Sequence, residues 1–526
     1  MKALILDGYV DEPSCLGVPP FVSPYPRFIY GVLKELKISA LYTTIDSLRE
    51  NFKLKEDLKS FDYLFIIAGI AVPGKYLGGK PLNKNEIFSL NLAKKNILLG
   101  PIYLELSKED IERLADASIA VLEFPFEKKL CDLFDLKFDL DKFLIAGADV
   151  VRQHPEFPNI ICEIETYRGC YWAKCSFCIE RFQKISMRDP IKVISEIKAL
   201  YDAGVRHFRL GKQTDFFTYL ADFKYDFPKP DPEALRKFHR AIWENCPKVR
   251  TLHLDNVNPK TVAEHPEEAK EVIKIVSIYQ TPGNVAAFGL ESADERVAHK
   301  NALCANAEEV MTAIELFNEY GRSSGYNGLP LILPGLNFVI GLKGETKETF
   351  EKNFEFLKGV MEKNLLIRRI NIRQVKIFPG TPMEKEGYGR LKRHKHYFQA
   401  FKNKVREEID NPMLRKILPK GRKITDLKVE EEGKISFARQ IATYPVLVGI
   451  IGEYKKGIFV DARIVDYGFR SVTAVESPLD ANRARVDQLK ALVGAKAVEI
   501  VKKRPFKSIE ELEKIVEEAK LFFIIE

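Results

Sequence analysis

The chain has 526 residues, 46% hydrophobic and 30% charged, with a net charge of +8. This length predicts about three to four domains with real cores. The lack of an apolar run of membrane-spanning length and an opening that enters a strand at once (Met1–Asp7) exclude a membrane protein and a signal peptide, so a cytoplasmic protein is expected. Eight cysteines, three of them bunched, exclude a disulfide framework and fit a reducing compartment. The abundance of Lys, Glu, Ile and Phe resembles that of heat-adapted proteins.

Residues 1–150 alternate strand and helix signals. Lys2–Asp7 is an apolar run, Phe28, Ile29, Val32, Leu33 and Leu36 share one helical face, and Ile38–Tyr42 and Tyr63–Ala68 read as buried strands. The pattern predicts a small parallel, doubly wound α/β domain. From residue 151 to 388 strands and helices alternate again, beginning with a strand at Ile160–Ile164.

Directly after that strand, Cys170, Cys175 and Cys178 fall within nine residues, with Phe177 wedged between the last two. Three thiolates on one short loop can ligate three irons of a [4Fe-4S] cube and leave the fourth open to a substrate or cofactor. A structural zinc site with Cys162 as fourth ligand is the alternative, but zinc sites usually pair two separated halves and no second half is present. Cys15, Cys131, Cys162, Cys246 and Cys304 stand singly and are expected to be small buried hydrophobes.

Arg168-Gly-Cys170 followed by Cys175-Ser-Phe177-Cys178 resembles the signature loop of the radical SAM superfamily, with one extra residue between the first two cysteines. The resemblance implies a partial (β/α)6 TIM-like barrel, a [4Fe-4S] cluster on the three cysteines, S-adenosylmethionine (SAM) as cofactor, Phe177 near its adenine, and an electron donor such as ferredoxin or flavodoxin. It also implies strand-end contacts. Gly211, Lys212 and Gln213 stand where the family holds the SAM amino group. Glu291 and Ser292, in Gly289-Leu-Glu-Ser292, stand where it holds ribose and amino acid, although Ser292 and Asp294 are also good helix-capping chemistry. Asn337–Thr346 resembles a strand-to-helix turn in which Glu345 and Thr346 are structural, and Val375–Pro382 resembles the last strand and exit turn in the methylthiotransferase branch. Residues 1–150 are similar to the cobalamin-binding-like domains that precede many radical SAM cores. No histidine precedes His154, however, so no imidazole from this domain can ligate cobalt and a structural domain is the favoured reading.

Between Arg390 and Lys423 twelve Lys and Arg face three Asp and Glu, a local net of +9. Residues 389–420 read as a basic linker in which Tyr397, Phe398 and Phe401 interleave with cations, a mixture suited to phosphate contact and base stacking. A solvated helical face is the plainer alternative. Residues 421–476 turn to short alternating segments (Ile435–Gln440, Val446–Ile451, Ile458–Val465, Ser471–Val475), loosely similar to TRAM or OB-type β-barrels. Residues 477–526 resemble a helix-hairpin-helix of the kind that grips phosphates, keeping Gly494.

The arrangement resembles archaeal radical SAM proteins with a carboxy-terminal helix-hairpin-helix. It implies an enzyme that cleaves SAM reductively, with a nucleic acid, most plausibly tRNA, as substrate. One alternative is a cobalamin-assisted methyl transfer to a small molecule or lipid. Another is a nucleic-acid-binding protein with a structural metal.

Overall fold

The computed structural model describes all residues except 12–14, 71–77, 91 and 526. Five parallel strands open the chain: β1 (Lys2–Asp7), β3 (Ser39–Thr44), β4 (Tyr63–Ile67), β5 (Lys95–Leu99) and β6 (Ile119–Val121), in the order β3-β1-β4-β5-β6. This is a doubly wound order, with the reversal between β1 and β4. Alternation divides each strand between two cores. Ala3 and Ile5 face the helix Pro24–Glu35, while Leu4 and Leu6 join Leu48, Leu64 and Ile66 on the opposite face.

The short strand β2 (Phe21–Val22) leaves this domain and pairs, parallel, with the first strand of the next sheet, β7 (Ile161–Glu165). Arg27, fully buried, completes the seam. It donates to the Glu163 carbonyl and to Glu196, which also accepts from Arg188. The division near residue 150 is therefore crossed by a strand pairing and a buried ion pair.

The central domain follows with a two-residue hairpin, β8 (Tyr167–Arg168) and β9 (Ser186–Met187), then β10 (His207–Gly211), β11 (Thr251–Leu254), β12 (Asn284–Glu291), β13 (Ile332–Ile340) and β14 (Ile370–Gln374). The two parallel sheets β2-β7-β10-β11 and β12-β13-β14 are joined by one bridge, Asn256 to Ala287, into a partial barrel of six core strands.

Residues 389–420, expected to be a linker, are mostly helical (Gly389–Arg393, Lys395–Val405, a π-turn at Arg406–Asp410, Asn411–Ile417) and pack on the outside of the barrel. Phe401 packs against Phe338 and Phe350, and Tyr397 against Phe350, so these two rings serve the core and are not offered to bases.

A closed barrel follows, ordered β15-β16-β17-β19-β18: β15 (Lys423–Glu431), β16 (Ile435–Gln440), β17 (Leu447–Ile451), β18 (Phe459–Tyr467), β19 (Ser471–Glu476). The turn between β16 and β17 plugs the amino end of the larger barrel. There Ile441 accepts from Thr251, Thr443 bonds His253, and the Tyr444 hydroxyl reaches Asp255. The chain ends in helices Val486–Val493, Lys496–Lys503 and Ile509–Glu513, clasped by a parallel pair, β20 (Leu479–Asp480) and β21 (Phe523–Ile524). Among the described residues no helix is long and apolar enough to cross a membrane.

Candidate active site

The loop after β7 turns sharply. Gly169 has φ of +90°, and a Cβ there would stand 2.7 Å from the Lys184 backbone, so only glycine fits. The extra residue of the Tyr171–Lys174 bulge is absorbed by Ala173 at φ +49°, whose N–H donates to Cys170 Sγ at 3.4 Å. Contacts that involve no thiol hold the rest. Trp172 donates to the Ala302 carbonyl at 2.7 Å, Ser176 to Asn301 Oδ1 at 2.7 Å, and Met383 N–H to the Ser176 carbonyl at 3.0 Å. Arg168 of the lead-in is a clamp, forked onto Glu165 at 2.7 Å and onto Glu127 of the amino-terminal domain at 2.9 Å.

Cys170, Cys175 and Cys178 all line one cavity of about 310 Å³ at the carboxyl ends of the barrel strands, where the loops of such barrels converge. Burial pushes each thiol above its usual range, so a metal is needed to hold them as thiolates. Among the described residues no three His, Cys, Asp or Glu groups converge on a point that one ion could occupy. Three thiols on one loop facing one cavity fit the cluster. Cys162, the proposed fourth zinc ligand, is fully buried and points away from the lumen, alternating with Glu163.

Of the residues assigned to SAM, Phe177 and Glu291 line the same cavity. Phe177 leans on Val375 and Met383. Glu291 closes β12 with φ +58°, strained for a residue with a side chain. Burial pushes its carboxyl up to about 8, with Arg373 opposing, and its Oε2 has no hydrogen-bond partner among the described residues.

The other assigned residues face elsewhere. A Cβ on Gly211 would meet Glu163 Oε1 at 1.8 Å, so the space beside the glycine is filled by that carboxylate. Lys212 is buried and donates to the Tyr25 hydroxyl at 2.6 Å. Gln213 is spent on Thr166 and the Leu210 carbonyl. Thr214, one residue on, reaches the cavity wall. Ser292 accepts from the Asp294 N–H and supports the cap of helix Glu295–Lys300. Glu345 accepts from Gly341 N–H and pairs with His394, while Thr346 caps helix Lys347–Glu362.

The cavity also contains residues the motifs do not indicate. Cys304, expected to be a small buried hydrophobe, faces it with its sulfur accepting from Asn258 at 3.1 Å. Arg209, Asp255, Arg369, Arg373 and Tyr444 form further wall. Arg209 bridges Glu163 and Asp255. Arg369 stacks 4.0 Å from the centre of the Tyr444 ring. The signal for the arginines lies in β14 itself, where Arg369, Asn371 and Arg373 alternate with Ile370 and Ile372, a polar face turned into a barrel lumen.

The amino-terminal domain closes one side. Asp11, Leu16 and Ile70 reach the cavity; Ile70 and Leu104 pack on Ile179 of the cluster loop and Phe378, and Lys376 pairs with Glu105. At the reversal between β1 and β4, where such folds take a ligand, Tyr9 and Leu82 are buried. A Cβ on Gly8 would meet Leu82 at 2.7 Å, and Tyr42 donates to Asp7 at 2.8 Å. No histidine precedes His154, so any cobalamin held here would lack an imidazole ligand from this domain.

No protein-family model matches the chain. It is 66% identical over 98% of its length to an uncharacterized protein of Archaeoglobus fulgidus, covering 97% of that chain. It is 43% identical over 90% of its length to an uncharacterized protein of Methanocaldococcus jannaschii, covering 92% of it. Among solved structures it is similar to the cobalamin-dependent S-adenosylmethionine radical enzyme OxsB, with a TM-score of 0.50 and 12% identity over 76% of this chain and 61% of that one. The chain thus belongs to one family with these two archaeal proteins, and its fold is similar to that of the S-adenosylmethionine radical enzyme OxsB.

Proposed function

We propose that the chain is a radical SAM enzyme in which Cys170, Cys175 and Cys178 hold a [4Fe-4S] cluster and SAM occupies the cavity beside it. The observation that carries this reading is the meeting of the three thiols, Phe177 and Glu291 in one cavity at the carboxyl ends of the barrel strands. When bound, a reduced cluster supplies one electron to the sulfonium of SAM, giving methionine and a 5′-deoxyadenosyl radical that abstracts hydrogen from substrate. The chain's own residues do the remaining work. Phe177 presents a ring face for the adenine. Glu291, largely protonated at neutral pH, can both donate to and accept from ribose hydroxyls. The amino-terminal domain at the side and Tyr444 at the floor keep water from the radical.

Anaerobically reconstituted protein, reduced by dithionite or by a ferredoxin or flavodoxin, is expected to turn SAM into methionine and 5′-deoxyadenosine in equal amounts. One zinc per chain, no iron and no 5′-deoxyadenosine would overturn the proposal.

The substrate we propose is a nucleic acid, a tRNA. What supports it is a group of exposed cations, Lys392, Arg393 and Lys395, none of which pairs with a described acid. They lie beside the cavity mouth, because Leu391 packs against Gly341 at the carboxyl end of β13 and joins Phe177 and Val375 in one apolar cluster. Reversing all three to glutamate is expected to weaken RNA binding by at least tenfold and to lower its salt slope by about 2, since each single-strand phosphate contact contributes roughly 0.7. Uncoupled SAM cleavage should be unchanged. Equal RNA affinity and salt slope in the two proteins would remove this rim as the RNA handle.

A further inference from the structure

The lumen face of β14 carries charge that the protein leaves unmatched. Arg369 stands just before the strand at φ +69°, a strained backbone for a residue with a side chain. It is fixed there by the Leu336 N–H on its own carbonyl, at 3.0 Å, and by its neighbour Arg368 N–H on the Pro334 carbonyl, at 2.8 Å. Its guanidinium lies over the Tyr444 ring, and the Arg368 guanidinium donates to the Tyr444 carbonyl, so the plug turn from the carboxy-terminal barrel sets the position of the Arg369 fork. Arg373, two positions beyond Asn371 on the same face, lines the cavity near Glu291.

Neither guanidinium makes an ion pair or hydrogen bond with a described residue. The nearby acids do not balance them. Asp255 is engaged by Arg209 and by the Tyr444 hydroxyl, and burial keeps Glu291 largely protonated at neutral pH. Both arginines are half-buried at the cavity wall, and a partly desolvated charge without a partner favours an arriving group of opposite sign. The planar fork of arginine suits carboxylate and phosphate oxygens.

We propose that Arg369 and Arg373, with Tyr444 fixing the first of them, form a subsite for an anionic group of the substrate, a carboxylate or a phosphate. The proposal deepens the radical SAM reading and rests on it, since the group held here belongs to the molecule that meets the radical. Depth separates the Arg369 end of this subsite from the SAM carboxylate, while Arg373 stands nearer Glu291 toward the carboxyl end of β14. The cluster loop follows the carboxyl end of β7, whereas Arg369 precedes the amino end of β14 beside the plug. The subsite also gives the carboxy-terminal barrel a role inside the active site.

The test uses full-length, cluster-loaded protein saturated with SAM and titrated calorimetrically with inorganic phosphate and, separately, acetate. Wild type is expected to bind at least one of them, tighter phosphate binding marking a phosphorylated substrate and tighter acetate binding a carboxylate. Arg369→Gln and Arg373→Gln should each weaken that anion by at least tenfold, Arg369→Lys should restore part of the loss, and Tyr444→Ala should weaken it less. SAM affinity of Arg369→Gln should match wild type, which also shows that the variant is folded. The subsite is overturned if wild type binds neither anion, if Arg369→Gln leaves anion binding unchanged, or if it weakens SAM by the same factor as the anion. Anion binding that depends on Arg369 in a protein that releases no 5′-deoxyadenosine would overturn the radical reading alone.

Discussion

Replacing Cys175 with alanine is expected to leave the chain folded, to drop its iron from about four per chain toward none, and to cut 5′-deoxyadenosine release by at least about a hundredfold. The fold should survive because the loop's path is set by other residues: Gly169 against Lys184, Trp172 on Ala302, Ser176 on Asn301. The cluster should be lost because a cube held at three corners has no spare protein ligand. Cys304 makes the comparison sharp, since its thiol faces the same cavity but is held by Asn258 and comes from a different segment. Cys304→Ala is expected to keep iron and activity. If Cys304→Ala loses iron as completely as Cys175→Ala, the ligand set is not the three-cysteine loop.

The meeting of Cys170, Cys175 and Cys178 at one cavity was legible in the sequence because the three fall within nine residues of one loop. The amino-terminal sheet was legible because Lys2–Asp7 and Tyr63–Ile67 are buried on both faces and read as continuous apolar runs. β15 was not legible. Asp426 sits at φ +57° and shifts the register, so the buried residues Ile424, Leu427 and Val429 break the two-residue period. In the basic stretch before it the charges conceal a stripe of Phe401, Val405, Ile409, Met413 and Ile417, all buried and spaced by four. A pure α-helix would carry such a stripe around its axis, but the wider π-turn at Arg406–Asp410 slows the drift and keeps the stripe on the barrel. Which residue of 211–214 reaches the cavity was not legible, because Gly211 makes room for Glu163 and Thr214 turns to the cavity. Arg369, Arg373 and Tyr444 meet only after β14 and the plug turn are brought together, which no local pattern encodes.

The largest stability effect is expected at Arg209. Its guanidinium, 1% exposed, bridges Glu163 and Asp255, themselves 0% and 2% exposed, in the middle of the lumen. Burial holds both acids above the usual carboxylate range and Arg209 pulls them back toward ionisation. Arg209→Met keeps much of the side-chain volume but leaves two buried carboxyls to repel each other. Removing one partner of a buried pair costs about 3–5 kcal/mol. The sign of the pH dependence follows from the acids. Up to the raised wild-type values, about 7 for Glu163, both folded proteins keep these acids largely protonated and lose stability alike as the unfolded chain ionises, so the gap stays near the packing difference. As pH rises through about 7 the wild-type acids ionise beside Arg209 while the variant's buried acids cannot, so the gap widens toward pH 8. Thermal unfolding of metal-free wild type and variant between pH 4 and 8 reads this directly. A gap that stays constant across that range would mean Arg209 supports the barrel by filling space, and the charge bridge between β7, β10 and β11 would carry none of the stability assigned to it.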